Sequence, residues 1–588
     1  MAKNEQSRTV SMESNSETVT FDNTEFRVSK NLDDSKKWFN SQKKVLLSKN
    51  QLFHDPFFCP SNDLLYCSSD HLDKFQWKRP LEIRKNPQFI KDGRSRFDVV
   101  QGLLGDCWLL AAIGSLSLDS NLMNQVILVD QYFDKSYVGA FLFRLWREGV
   151  WYDVVVDDRL PTENGKLVYM HSSNLDEFWS ALLEKAFAKL KGSYKNLDGG
   201  YSWKAMETLT GGIIKIFRLG SKASPRIWDV MVKASHMESI MCCPINHSQV
   251  QLAQKLGLFI PNPKNSDKSV INEPKKKSAI SFLCFSKKRK SIKNKKTQGK
   301  PIKTEISDGY LYSKINDKHI QINNNKIVKE PNEPWGTPVQ REIKVDTGLI
   351  EGHAYSVTNV KEVCSLEGQI NLVRIRNPWG NEVEWKGAYS DNSPEWNNIN
   401  EVERKGLELN FNNDGEFWMS FQDFITYFSS LEICYVTSDI NTGNKQWKTY
   451  NEFGKWSQNL GSDNFHLNPQ YRFTILVNEK DPGKLCETII CITMLEGSLV
   501  NMPDSSFIYS IFKIEDARYL NAQLDSEFFK TNSSYLKYEF LSEGMICSRC
   551  RLPPGNYVII PSTAVKGIEA DFLLRILCEP ELSMESVD

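Results

Sequence analysis

The stretch Gln101-Gly-Leu-Leu-Gly-Asp-Cys107-Trp-Leu-Leu-Ala-Ala-Ile-Gly-Ser-Leu constrains this chain most. It runs a glycine-containing loop into an apolar segment in which Leu109, Leu110, Ala111, Ala112, Ile113 and Leu116 read as a buried helix. Cys107 then falls in the first helical turn, where unpaired backbone N–H groups and the helix dipole favour a thiolate over a thiol. Most free cysteines are small structural hydrophobes. Gln101 tips the balance, because its amide can donate to a developing oxyanion.

At 588 residues the chain exceeds one core, and three or four domains are expected. Lys+Arg and Asp+Glu both number 73, so no global charge points to nucleic acid or a membrane. The 13 cysteines fall at irregular positions without a disulfide framework, and the polar N-terminus carries no signal peptide. No apolar run approaches the roughly 18 residues of a membrane span. These features lead us to expect a soluble, cytoplasmic protein.

Residues 1–30, rich in Ser, Asn, Thr and Glu, read as disordered. Val138–Trp146 and Val150–Val156 read as a hairpin turned at Arg147-Glu148-Gly149. Phe178, Trp179, Leu182, Leu183, Ala186, Phe187 and Leu190 recur at helical spacing, with Ser173 or Asn174 as the expected cap and Gly192 as the stop. Between Lys275 and Lys303 there are 12 basic residues and no acidic one, a composition for a solvated insert rather than a core. After about residue 445 seven short β-type runs separated by turns argue for an antiparallel sandwich.

Two later segments bear on Cys107. Glu351-Gly-His353-Ala-Tyr-Ser-Val-Thr sets a histidine between a glycine and a strand-like alternation, and Arg374-Ile-Arg-Asn377-Pro-Trp379-Gly ends a strand with an asparagine. Alone, His353 reads as a structural histidine and Asn377-Pro-Trp-Gly as a turn. Together with Cys107 they supply a thiolate, an imidazole to protonate a leaving amine, and a group to orient the ring.

Gln101–Ala112, Gly352–Thr358 and Asn377–Gly380 resemble the three active-site segments of the calpains, calcium-dependent cysteine proteases. Val154-Val-Val-Asp-Asp-Arg-Leu-Pro-Thr, Glu177-Phe-Trp-Ser-Ala-Leu-Leu-Glu-Lys-Ala and Asp414-Gly-Glu-Phe-Trp-Met-Ser-Phe are similar to calpain core sequence, and Leu552-Pro-Pro-Gly-Asn-Tyr to the calpain sandwich domain. The resemblance implies an α+β fold: a two-lobed papain-like core followed by a C2-like antiparallel β-sandwich. Its lobes would span 31–211 and 212–440, the second interrupted by the basic insert 248–340, with the sandwich at 445–580 and a tail at 581–588. Cys107 would be the nucleophile, His353 the acid/base and Asn377 the orienting residue, with Gln101 and the Cys107 N–H as oxyanion donors. Trp379 would shield the Asn–His bond, and Gly200 and Gly352 would offer backbone groups to an extended peptide.

The carboxylates Glu384, Asp391, Asp414 and Glu416 suit Ca²⁺ by their hard oxygens. Acidic loop residues are ordinarily just solvated. By resemblance these four match the second-lobe calcium site, with the Asn412 carbonyl, while Asp98 and Glu177 with the Lys91 and Gly93 carbonyls match the first-lobe site. Two calcium ions would then bring Cys107 within reach of His353, and Arg96 would bridge to Glu416 across the cleft.

The chain departs from the conventional pattern in two places. No EF-hand loop follows the sandwich, so a penta-EF-hand small subunit is not an expected partner. Val477-Asn-Glu-Lys-Asp-Pro-Gly lacks the long acidic run expected in the sandwich, which weakens a calcium or phospholipid role there. The insert reads most simply as a surface loop, with a nuclear-localisation signal at Lys287-Lys-Arg-Lys, an anionic-membrane tether, an autolysis site or lipid attachment at Cys284 left open. Cys547-x-x-Cys550 lacks a partner pair for a metal and reads as two sandwich cysteines. The expected function is limited cleavage of intracellular proteins. A dead scaffold would have lost one of Cys107, His353, Asn377 or Gln101, and a transglutaminase-type acyl transferase would carry an aspartate in place of Asn377.

Overall fold

A computed structural model describes residues 25–65, 74–246, 342–436 and 448–586, apart from single positions and short breaks of which 477–482, 496–506 and 540–544 are the longest. Most of the expected N-terminal segment, the whole basic insert 248–340 with Lys287 and Cys284, and residues 477–482 therefore lie outside the described residues.

The first lobe is built around helices that pack on a short sheet. Ala140–Arg147 and Val150–Asp157 form the hairpin, and Glu148 and Gly149 turn it with φ of 49° and 84°. Two consecutive positive φ values give the primed turn that matches strand twist. Order begins earlier than residue 31. Arg27–Val28 pairs with Val150–Asp157, and Arg27 bridges Asp153 at 2.5 Å and Asp34 at 2.6 Å. Two opposite charges tie down a segment whose polar composition alone gave no reason for order.

Trp179–Leu190 is a helix in which every residue is buried, the charged ones included. Lys185 meets Asp157 at 2.6 Å and Lys189 meets Asp55 at 2.7 Å, so these cations are buried only as paired groups. The expected cap is corrected. Phe178 occupies the N-cap without a side-chain bond, because Ser172 and Asn174 instead accept from the backbone N–H groups of Asn174 and Asp176 in a local turn.

The second lobe is a six-stranded antiparallel sheet in the order Glu416–Ser420, Gly368–Arg376, His353–Ser365, Ile240–Ile245, Ser430–Tyr435, Ile213–Arg218. The helix Cys107–Leu116 of the first lobe lies against it, and one apolar cluster runs through both. Ser356 Oγ donates to the Ala111 carbonyl at 2.7 Å, and Ser115 Oγ to the Met241 carbonyl at 2.7 Å. Gly114 is what permits this approach, since a Cβ there would stand 2.8 Å from Ser356 Oγ. We expect Gly114→Val to lower stability by about 1–3 kcal/mol through overpacking. An unchanged urea midpoint would contradict it.

The C-terminal region is an antiparallel sandwich of a four-stranded and a five-stranded sheet. Among the described residues it holds nine strands where the sequence pattern suggested seven. Lys448–Trp456 and Leu582–Ser586 are the two additions, both on sheet edges. Their sequences, KTYNEFGKW and LSMES, mix polar and charged residues with apolar ones and give no clear period-two pattern. Cys547 and Cys550 both lie on Met545–Leu552, and among the described residues they are free thiols.

The sandwich grips the junction of the two lobes through Arg575. This side chain is 2 % exposed. Its guanidinium donates to the Gly211 and Gly212 carbonyls, the latter at 2.8 Å, lies 3.6 Å from Glu207, and sits 4.6 Å over the Trp146 ring. Gly211 and Gly212 are the link between the helix Ser202–Thr210 and the strand Ile213–Arg218.

Candidate active site

Cys107 begins its helix and is 8 % exposed. Asp106 occupies the N-cap but makes no capping bond. Its carboxyl is wholly buried beside that of Glu184. Burial raises Asp106 to about 7 and Glu184 well above its usual value, and the Glu184 carboxylate oxygens accept from the Met170 N–H. Two buried carboxyls side by side hold a proton more readily than two charges.

His353 starts a long strand of the second lobe and Asn377 follows the end of its neighbour, so antiparallel pairing sets them side by side. His353 Nε2 lies 2.8 Å from Asn377 Oδ1. The orientation of the amide is fixed by its other contacts: Nδ2 donates to the Val383 carbonyl at 3.0 Å, while Oδ1 also accepts the Trp379 N–H at 3.0 Å. Oδ1 can therefore only accept from the ring, which assigns the Nε2 proton and leaves Nδ1 facing Cys107. Trp379 packs edge-on to the imidazole with centroids 5.5 Å apart, beside the Asn–His bond.

The lobes are together in this structure. Arg96 makes a two-pronged bond to Glu416, at 2.6 and 2.8 Å. The Gln101 N–H donates to the Pro378 carbonyl at 3.1 Å, joining the loop before Cys107 to the turn after Asn377. Gln101 Nε2 donates to the Leu104 carbonyl at 2.8 Å, so one of its two amide protons is committed within its own loop. At Gly200 a Cβ would stand 2.5 Å from the Trp108 indole, which requires glycine there. The Gly352 N–H is already taken by the Ile245 carbonyl at 2.7 Å.

One residue escaped the sequence reading. Glu342 lies in the cleft, and Cys107 Sγ, a Glu342 carboxylate oxygen and a His353 ring nitrogen all lie within 4.8 Å of one another. Its Oε1 is 2.6 Å from His353 Nδ1 and its Oε2 accepts from Trp379 Nε1 at 3.2 Å. Burial would raise the Glu342 carboxyl, but the His353 contact outweighs it and holds the group below its ordinary range. Burial, and after it the Glu342 charge, push the Cys107 thiol well up. With Glu342 in place Cys107 is a thiol, and the helix-start argument for a thiolate is outweighed. No sequence signal marks Glu342: it is one acid among many beside a polar stretch.

The carboxylates singled out for calcium gather in two places. Glu384, Asp391, Asp414 and Glu416 converge. Burial and then mutual repulsion raise Glu384 and Asp391 to about 7, while Glu416, buried but paired with Arg96, is held low. Glu384 Oε1 accepts the Gly415 N–H at 2.8 Å, and the Asn412 carbonyl accepts the Asp414 N–H at 2.9 Å. In the first lobe Glu177 stands beside Asp98, and burial followed by that charge raises it to about 7. Glu177 accepts the Lys91 N–H at 2.7 Å, and the loop between Lys91 and Asp98 turns through Asp92 and Gly93 at φ of 56° and 99°.

Comparison with known proteins identifies the family. A family profile described as calpain family cysteine protease matches residues 53–435, and one described as calpain large subunit, domain III matches 444–577. Calpain-A of Drosophila melanogaster is 35 % identical over 92 % of this chain and 57 % of its own length. Calpain-9 of Homo sapiens is 34 % identical over 94 % of the chain and 68 % of its own, and the calpain-1 catalytic subunit of Rattus norvegicus 35 % over 92 % and 67 %. The chain spans little more than half the length of several of these relatives, 52 % of Calpain-B of Drosophila melanogaster. Matched by the protease profile over 53–435 and by the domain III profile over 444–577, this chain belongs to the calpain family of cysteine proteases.

Proposed function

We propose that this chain is a calcium-regulated cysteine endopeptidase that makes limited cuts in protein substrates. The observation that carries the reading is the imidazole of His353, held by Asn377 at Nε2 with Nδ1 turned towards Cys107. Once Glu342 has withdrawn, the Cys107 thiol passes its proton to Nδ1 and the thiolate attacks the peptide carbonyl. The oxyanion is met by the free amide proton of Gln101 and the Cys107 N–H. Nδ1 returns the proton to the leaving amine, and water activated by the same nitrogen hydrolyses the thioester. Asn377 supports the ring through both steps, and Trp379 keeps water from their bond. Gly200, and the carbonyl of Gly352 whose N–H is already bonded to Ile245, would be the backbone contacts for an extended peptide.

The acidic clusters fit calcium, because converging oxygens that repel one another are what a hard dication stabilises. Glu384, Asp391, Asp414, Glu416 and the Asn412 carbonyl would hold one ion, and Asp98, Glu177 and the Lys91 and Gly93 carbonyls another. Calcium held there would supply positive charge that offsets this repulsion. Protein substrates are the partners this reading requires, in a cytoplasmic setting. Among the described residues no helix is long and apolar enough to cross a membrane.

Casein hydrolysis with calcium and with chelator tests this reading. Cleavage that needs calcium supports it, and equal rates in chelator sink the regulatory part. The carboxyls raised to about 7 set a pH dependence. Their folded values exceed the unfolded ones, so calcium-free protein loses stability as pH rises from about 4 through 7. Over the same range the sites become ionised and ready for the ion. Calcium should therefore raise the melting temperature more at pH 7.5 than at pH 6, and an equal rise at both would contradict it.

A further inference from the structure

We propose that Cys107, Glu342 and His353 form a binding site for a divalent transition metal of the Zn²⁺ type, which blocks the nucleophile when occupied. The site is distinct in chemistry from the acidic clusters: sulfur and imidazole nitrogen suit zinc and serve calcium poorly. Three protein ligands with a fourth position open to water is the arrangement of an accessible zinc site.

Four observations support it. The three ligand atoms lie within 4.8 Å of one another, near enough for one ion to gather them with small side-chain shifts. His353 is preset as a ligand, since Asn377 Oδ1 takes its Nε2 proton and leaves Nδ1 on the sulfur side. A ligating histidine is ordinarily oriented by such a partner on its far nitrogen. Glu342 is preset in the same manner: Trp379 Nε1 holds Oε2, and Oε1 is turned to Nδ1. Finally, the charges match. A thiolate, a carboxylate and a neutral imidazole carry the two negative charges that a dication neutralises in a buried place.

The binding step balances simply. The Cys107 S–H bond breaks, its proton leaves to solvent, and sulfur bonds to the metal. The proton shared between Glu342 and Nδ1 is released as both become ligands. No oxidant or reductant is involved. The blocking effect rests on the protease reading above, whereas the binding itself does not.

The test uses the full chain, washed with chelator and titrated with CoCl2 and then ZnCl2. Co²⁺ bound through a thiolate gives a near-ultraviolet charge-transfer band and visible bands of tetrahedral intensity. We expect one such site, lost in Cys107→Ser, weakened at least about ten-fold in Glu342→Gln, and emptied by one equivalent of Zn²⁺. Zn²⁺ should also slow alkylation of Cys107 by iodoacetamide. A band that survives Cys107→Ser belongs to another cysteine and overturns the proposal, as does equal affinity in Glu342→Gln with its melting temperature unchanged. Casein hydrolysis by the metal-free chain is measured in parallel. Hydrolysis without the band defeats only the metal site, and the band without hydrolysis defeats only the protease reading.

Discussion

Cys107→Ala should lower kcat/KM for a peptide substrate by about 10⁴-fold or more, the scale seen when a covalent nucleophile is removed. The same change should leave the fold almost untouched. The side chain is small, and its loss removes only a sulfur at a helix start that is 8 % exposed. Activity and stability therefore separate cleanly. A melting temperature within about 2 °C of wild type, with hydrolysis abolished, is the expected pair of results. Residual activity within ten-fold of wild type would remove Cys107 from the chemistry. His353→Ala should match it closely, since the two residues act as one unit and their losses do not add.

Arg575→Ala should cost about 3–5 kcal/mol, the penalty for breaking one side of a buried charged network. The loss would leave the Gly211 and Gly212 carbonyls without this donor and Glu207 without its 3.6 Å ion partner. The stacking over Trp146 would go as well. Because Arg575 comes from the sandwich and its acceptors from the link between the lobes, the damage should show in cooperativity. Wild-type unfolding in urea should follow one transition, and the variant should unfold in two. A single transition at an unchanged midpoint would show that the sandwich does not brace the core.

Much of the molecule is legible in its sequence. The apolar run after Cys107 is so dense that only a buried helix accommodates it, and the structure buries it between both lobes. Cys107, His353 and Asn377 stand out because each sits at the end of a recognisable strand or helix pattern, and folding brings them to one cleft. Glu342 has no such setting. Its place depends on where the chain re-enters the sheet, a tertiary fact without a periodic trace. The same holds for Arg575, which reads as one inward position of a sandwich strand and becomes an anchor only when the lobe junction arrives beside it. Lys448–Trp456, an edge strand of the sandwich, mixes Lys, Asn, Glu and Gly among its aromatics and so shows no clear alternation in sequence.

The bond from the Gln101 N–H to the Pro378 carbonyl crosses from one lobe to the other. It couples the loop that would receive the oxyanion to the turn that steadies the imidazole, through main chain alone and so beyond the reach of side-chain substitution. On the proposed mechanism the two halves cannot be set right separately. With the lobes parted, His353 and Asn377 keep their own bond, but the loop carrying Gln101 is no longer in register with them. On that reading, silence when idle is as much a property of the backbone as speed when switched on.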